Sequence, residues 1–144
     1  MSKKYELNRS QKLGNRFVAF QAKRGKGHAW KLTTTGRQSG ERRSVMVSPI
    51  TVDGTEYLVA PYGPVSWVLN LRAADRATLA RGSTTSRVKA VEVHGEEAGL
   101  ALTKYYHEYT KYVADYFDLA ANPTIVDFTR VAHLHPVFRI EHPM

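Results

Sequence analysis

The chain has 144 residues, no cysteine and a formal charge of +8. That length points to one domain able to bury a core unaided, and the lack of cysteine excludes a disulfide framework, a thiolate zinc site and a cysteine nucleophile. No run approaches the ~18 consecutive apolar residues of a membrane span, and Met1 to Arg9 lacks an apolar signal core, so the expected location is the cytoplasm.

The charge is concentrated at one end. Residues 1–43 hold twelve Lys or Arg against Glu6 and Glu41, a net +10, while the rest of the chain is net −2. A localised basic face implies an anionic partner: a polyanionic small molecule, an anionic membrane surface or nucleic acid. Nucleic acid ranks third, because the tyrosines lie far downstream of the basic residues and in an acidic segment. Within residues 10–24, Leu13, Phe17 and Phe20 or Ala19 recur at helical spacing, and Gly25-Lys26-Gly27 ends the pattern. The expectation is a short basic amphipathic helix packed on its own domain, with weak attachment to anionic lipid as the sharper alternative. Residues 1–26 then form an arm, and 27–144 the folded body.

From Trp30 the pattern turns to period two. Strands are expected over Trp30 to Thr35, Arg43 to Val52 and Tyr57 to Pro61, the last two joined by the Asp53-Gly54 hairpin signal. Ser66 is placed to cap a short helix carrying Trp67, Val68, Asn70 and Leu71. Two more strands, Arg76 to Arg81 and Ser86 to His94, precede one long helix from Glu96 to Asp118, and Pro136 to Glu141 closes the chain as a sixth strand. Six short strands with two or three helices predict an α+β fold: a mostly antiparallel barrel with helices packed outside.

Two stretches carry candidate chemistry. In Thr35-Gly36-Arg37-Gln38-Ser39-Gly40-Glu41-Arg42-Arg43, glycines flank a turn in which backbone N–H groups can point outward beside two guanidinium groups, which fork onto phosphate or carboxylate oxygens. The plainer reading is a basic hairpin tip in solvent. On the long helix, Tyr105, Tyr109, Tyr112 and Tyr116 form one stripe bordering the apolar arc of Leu102, Tyr106, Val113 and Phe117. Hydroxyls in a row are more easily satisfied at a cleft wall than in a dry core, although ordinary packing at a helix edge gives the same spacing. His133, His135 and His142 lack accompanying Asp, Glu or Cys at ligand spacing, which argues against a metal. No Gly-x-Ser-x-Gly elbow or dinucleotide fingerprint occurs.

Leu32-Thr33-Thr34-Thr35-Gly36-Arg37-x-Ser39-Gly40-x-x-Arg43, then Leu58-Val59-Ala60-Pro61-Tyr62-Gly63, Trp67-Val68-x-Asn70-Leu71-Arg72 and His135-Pro136-Val137-Phe138-Arg139 together resemble the deazaflavin-dependent nitroreductase family of actinobacteria. The resemblance spans most of residues 28–141. It implies a split β-barrel related to flavin-binding oxidases, a homodimer, and the deazaflavin coenzyme F-420, which carries a phosphate and an oligoglutamate tail. By the same resemblance Arg37, Gln38, Ser39 and Arg43 hold the phosphate and tail, and Ser44 and Val45 continue along the coenzyme. Ala60, Pro61, Tyr62 and Gly63 border the ring, while Trp67 and Asn70 close the tail-binding side. Gln38 stands where many relatives have lysine, and Arg42 replaces a common proline and offers a compensating charge. Pro61-Tyr62-Gly63 replaces a Ser-Lys-Gly-Gly stretch found in relatives that reduce nitroimidazoles.

The implied function is transfer of hydride from reduced F-420 to an activated alkene, quinone or nitroaromatic, with Tyr109, Tyr112 or Tyr116 holding the acceptor's oxygen. FMN is the alternative cofactor. A non-catalytic carrier of a cofactor, flavin or fatty acyl ligand is the rival function.

Overall fold

The computed structural model describes residues 29–113, 117, 119 and 122–142, with the backbone alone at 110–113. The helix expected over 10–24 lies outside these residues. Seven strands follow in chain order: β1 (Trp30–Thr35), β2 (Arg42–Val47), β3 (Ile50–Val52), β4 (Thr55–Val59), β5 (Arg76–Arg81), β6 (Thr84–Val93) and β7 (Val137–Glu141). Helix α1 (Ser66–Ala73) follows β4, α2 (Gly95–Val113) follows β6, and α3 (Ile125–Val131) runs into a single 3-10 turn before β7.

All strands join one antiparallel sheet in the order β2-β1-β5-β6-β7-β4-β3. Six inter-strand steps would separate the edges of a flat sheet by about 29 Å. Yet β2 and β3, at opposite edges, are joined by Ser48 and Pro49 alone, which span about 11 Å at most. The sheet must therefore curl until its edges nearly meet, which makes it a split barrel. The same two residues correct the expected single strand from Arg43 to Val52: Pro49 has no N–H for a ladder, so the run divides and the sheet gains a seventh strand.

Leu32, Leu58, Val88 and Phe138, each at most 1% exposed, fill the barrel, and Trp67, Val68 and Leu71 of α1 plug it. A second core joins the outside of the barrel to α2 and α3. Ala98, Ala101, Leu102 and Tyr105 recur at helical spacing on the buried face of α2 and meet Phe128, Val131 and Val137. Tyr105 is thus a core residue, not part of a cleft wall. Helix α3, which the sequence reading passed over, has a full capping box: the Thr124 side chain accepts from the Asp127 N–H, and the Asp127 carboxylate accepts from the Thr124 N–H at 2.8 Å. In α1 the N-cap is Val65, with no side-chain cap, so Ser66 is the first helical residue and its hydroxyl is left to the cavity beside it.

Candidate functional site

A cavity of about 450 Å³ opens between the β1–β2 turn and the start of α1. It is lined by Thr34, Gly36, Arg37, Gln38, Ser39, Arg43, Ser44, Val45, Ser66, Trp67 and Asn70. Two sequence segments about thirty residues apart supply this wall, and both were singled out from the sequence.

The turn is held by its own backbone. Gly36 N–H donates to the Glu41 carbonyl at 2.7 Å, and Gly40 N–H to the Gly36 carbonyl at 2.9 Å, with Gly40 at φ +73°. A Cβ at Gly36 would sit 2.9 Å from the Ser39 hydroxyl and 3.1 Å from the Glu41 carbonyl, so glycine is needed for the close approach. The Ser39 hydroxyl accepts from the Glu41 N–H at 3.1 Å, leaving its own proton for a ligand.

Asn70 joins the turn to α1. It is 3% exposed; its carbonyl oxygen accepts from Arg37's backbone N–H at 3.1 Å and from its guanidinium at 2.9 Å, while its amide donates to the Thr34 hydroxyl at 3.2 Å. With its polar groups so engaged, Asn70 positions Arg37. Arg43 pairs with Glu41 at 3.3 Å, but the two side chains are 61% and 70% exposed, and such a pair contributes only about 0–1 kcal/mol. A bound anion would displace it readily. Trp67 contributes its edge to the cavity and its ring to the barrel core, 5.9 Å from Phe138. Arg42 lines a different cavity, because alternation along β2 turns it to the opposite face of the sheet from Arg43. It therefore does not replace the missing lysine charge at Gln38.

The loop Ala60-Pro61-Tyr62-Gly63 does not line this cavity. Its backbone is fixed by Ala60 N–H to the Pro136 carbonyl (2.8 Å) and by His135 Nδ1 to the Pro61 carbonyl (2.8 Å). Burial holds the His135 ring neutral, with its pKa down at about 4, against the opposing pull of that carbonyl. The neutral ring donates from Nδ1 and stacks on Phe117 at 3.9 Å. Of the two further histidines weighed as metal ligands, His133 bonds the Arg130 carbonyl and His142 pairs with Glu56. Tyr62 packs against both cores.

At the far end of β2 lies Tyr109. Its backbone leaves helical geometry (φ −124°, ψ 21°), so α2 kinks there and the tyrosine stripe does not continue straight to Tyr112. The side chain of Tyr112 and all of Tyr116 lie outside the described residues. The Tyr109 hydroxyl is buried and makes no well-formed hydrogen bond, with the Ser48 side chain beside it. Burial is the main cause that raises its pKa; Ser48 opposes this and the Glu108 charge adds to it. Ser48, a lone serine before proline, gave no sequence signal.

A sequence model of the F420H(2)-dependent quinone reductase family matches residues 9–125. The chain belongs to that family. It is accordingly an oxidoreductase, and its cofactor is the deazaflavin F-420. Among solved structures it is similar to an F420-H2 dependent reductase (FDR-A): identity is 25%, the TM-score is 0.58, and the match covers 79% of this chain and 94% of that one. A domain-swapped dimer at 24% identity covers 89% of this chain and 99% of its own, with TM-score 0.57. HutZ, a heme storage protein from Vibrio cholerae, shares the fold alone: identity is 9%, the TM-score is 0.59, and coverage is 88% of this chain and 89% of that one. No curated protein matches.

Proposed function

We propose that the chain transfers hydride from reduced F-420 to a quinone, with the coenzyme's anionic portion on the Arg37–Arg43 turn and the quinone oxygen at Tyr109. The observation that carries this reading is the course of β2. One strand has a guanidinium at its start, Arg43, and a serine against a buried phenol just past its end, Ser48, about 16 Å further along. Alternation turns Arg43 and Ser48 to opposite faces, so an extended coenzyme would reach from the anion site to the neighbourhood of the phenol by following the open edge of β2.

The residues of the cavity fit the coenzyme's anionic part. Arg37 and Arg43 supply forked cations, and Ser39 a free hydroxyl proton. Gly36 gives a turn with no Cβ in the way. When bound, the reduced deazaflavin supplies the two electrons as hydride. The chain's own work is placement and charge stabilisation. Asn70 holds Arg37 in place before the ligand arrives, so little ordering entropy remains to be lost.

With its raised pKa, Tyr109 stays protonated near neutral pH and donates to the acceptor's oxygen as negative charge develops there. It yields its proton when that oxygen becomes the stronger base, and water restores it, with the neighbouring Ser48 hydroxyl as a relay. Tyr112 and Tyr116 stay in the proposal on the sequence pattern alone. Activated alkenes and nitroaromatics are further acceptors with the same requirement.

We take the chain as a homodimer in the cytoplasm, with weak contact to anionic membrane surfaces through residues 10–24. The domain-swapped dimer among the structural relatives supports the first point. No helix among the described residues is long and apolar enough to cross a membrane.

The test is fluorescence titration of the protein with F-420 and, separately, FMN, for wild type and Arg43→Ala. Saturable F-420 binding weakened about ten-fold or more by the substitution is expected. Tight FMN binding without F-420 binding would overturn the reading.

A further inference from the structure

Strand alternation gives the sheet a second charged face, which borders the coenzyme cavity at Thr34 and Ser44. Cross-strand partners share a face, so the pairs Thr35↔Arg42, Thr33↔Ser44, Thr33↔Thr78, Thr78↔Arg87 and Arg76↔Lys89 put these side chains on one side of β2-β1-β5-β6. A cavity of about 760 Å³ opens there, with Arg42, Arg76 and Arg87 around threonines 33, 35 and 78. We propose that this cavity is a second anion site, which binds a small phosphate-bearing molecule through the three arginines and the hydroxyls between them.

Three guanidinium groups around one cavity repel one another, and the arrangement is disfavoured until a counter-charge is supplied. Among the described residues Asp75 lies 3.7 Å from Arg76 and 3.9 Å from Lys89, and Glu41, next to Arg42 in the chain, pairs with Arg43. No ion pair is found there for Arg42 or Arg87. The floor carries hydroxyls where a protein-protein contact would place apolar side chains, and arginine forks match phosphate oxygens in pairs. A symmetric second copy is a poor occupant, because a two-fold contact would set arginine against arginine. The chain's own residues 1–28 are equally poor, holding eight Lys or Arg against the single Glu6. The volume lies in the range of small-molecule pockets.

The site is independent of the coenzyme reading. The test is calorimetric titration of the full chain with inorganic pyrophosphate, for wild type, Arg42→Gln, Arg87→Gln and Arg43→Gln. Arg42 and Arg87 are exposed, and equal melting temperatures would confirm that the variants fold. The expected result is a binding component weakened about ten-fold or more by Arg42→Gln and by Arg87→Gln but kept in Arg43→Gln. F-420 binding should be unchanged in Arg87→Gln. Pyrophosphate affinity unchanged in both Arg42→Gln and Arg87→Gln, or lost entirely in Arg43→Gln, would overturn the proposal. So would a change of oligomeric state in Arg42→Gln or Arg87→Gln without a change of affinity, which would make this face an interface between copies.

Discussion

The side-chain oxygen of Asn70 accepts two hydrogen bonds from Arg37, one from its backbone N–H at 3.1 Å and one from its guanidinium at 2.9 Å. A buried amide on α1 thereby fixes both the path of the turn and the direction of its first cation. Asn70→Ala would leave the buried Thr34 hydroxyl without its donor as well as releasing Arg37. We expect a stability loss of about 1–3 kcal/mol and F-420 affinity lower by about ten-fold. Denaturant unfolding and fluorescence titration measure the two. Wild-type affinity in a folded Asn70→Ala variant would show that Arg37 needs no positioning.

Tyr109→Phe should separate activity from stability. The hydroxyl it removes is buried with no well-formed hydrogen bond and only the Ser48 side chain beside it, so the variant should stay within about 1 kcal/mol of wild-type stability. Quinone reduction should fall about 100-fold, because a donor aimed at developing charge is lost, while F-420 affinity stays the same. Thermal melts, titration and steady-state kinetics give the three values. Unchanged turnover would remove Tyr109 from the mechanism.

His135 sets a pH dependence. Its folded-state pKa of about 4 lies below the ordinary value of 6.5, so between those values the unfolded chain binds the proton more readily. The stability associated with the neutral ring is complete above pH ~6.5 and falls with decreasing pH, by up to ~1.4 kcal/mol per unit, until about pH 4. His135→Phe keeps an aromatic ring against Phe117 but leaves the Pro61 carbonyl without its donor. It should therefore be less stable at pH 7 by about 1–3 kcal/mol and show a shallower decline towards pH 4. Urea unfolding at several pH values measures both, and an equally steep decline in the variant would assign the effect to other groups.

Gly99 marks the closest approach of α2 to α3. A Cβ there would collide with the Thr129 hydroxyl and lie 3.0 Å from its Cβ and 3.1 Å from its Cα. Gly99→Ala gains about 1 kcal/mol of helix propensity, but overpacking against a backbone that must move costs about 1–3 kcal/mol. We expect the loss to win and the melting temperature to fall by about 4 °C or more. Adding Thr129→Ala should recover part of it. A Gly99→Ala variant that melts higher than wild type would contradict this packing.

The anion turn was legible because its determinants are local: glycines where the backbone comes close, and arginines two residues either side of Ser39–Glu41. Asn70 was legible only as a candidate contact. Its commitment to Arg37 and Thr34 depends on how α1 docks on β1, which no local pattern encodes. Arg42 was read as a stand-in charge because sequence adjacency to Arg43 hides the alternation that sends them to opposite faces. The tyrosine stripe assumed an unbroken helix, and the kink at Tyr109 contains neither proline nor glycine to announce it. Helix α3 did carry a signal, Thr124-x-x-Asp127, in the form of a capping box with aspartate in place of glutamate.

Hydride transfer to a quinone through a site spanning both ends of β2 is tested most directly by anaerobic oxidation of reduced F-420 with a soluble naphthoquinone, followed for wild type, Arg43→Ala and Tyr109→Phe. Saturable, quinone-dependent turnover is predicted, with Arg43→Ala raising the coenzyme KM and Tyr109→Phe lowering kcat at unchanged coenzyme KM. Absence of quinone-dependent oxidation by wild type at saturating coenzyme, or identical kinetics in all three proteins, would contradict it.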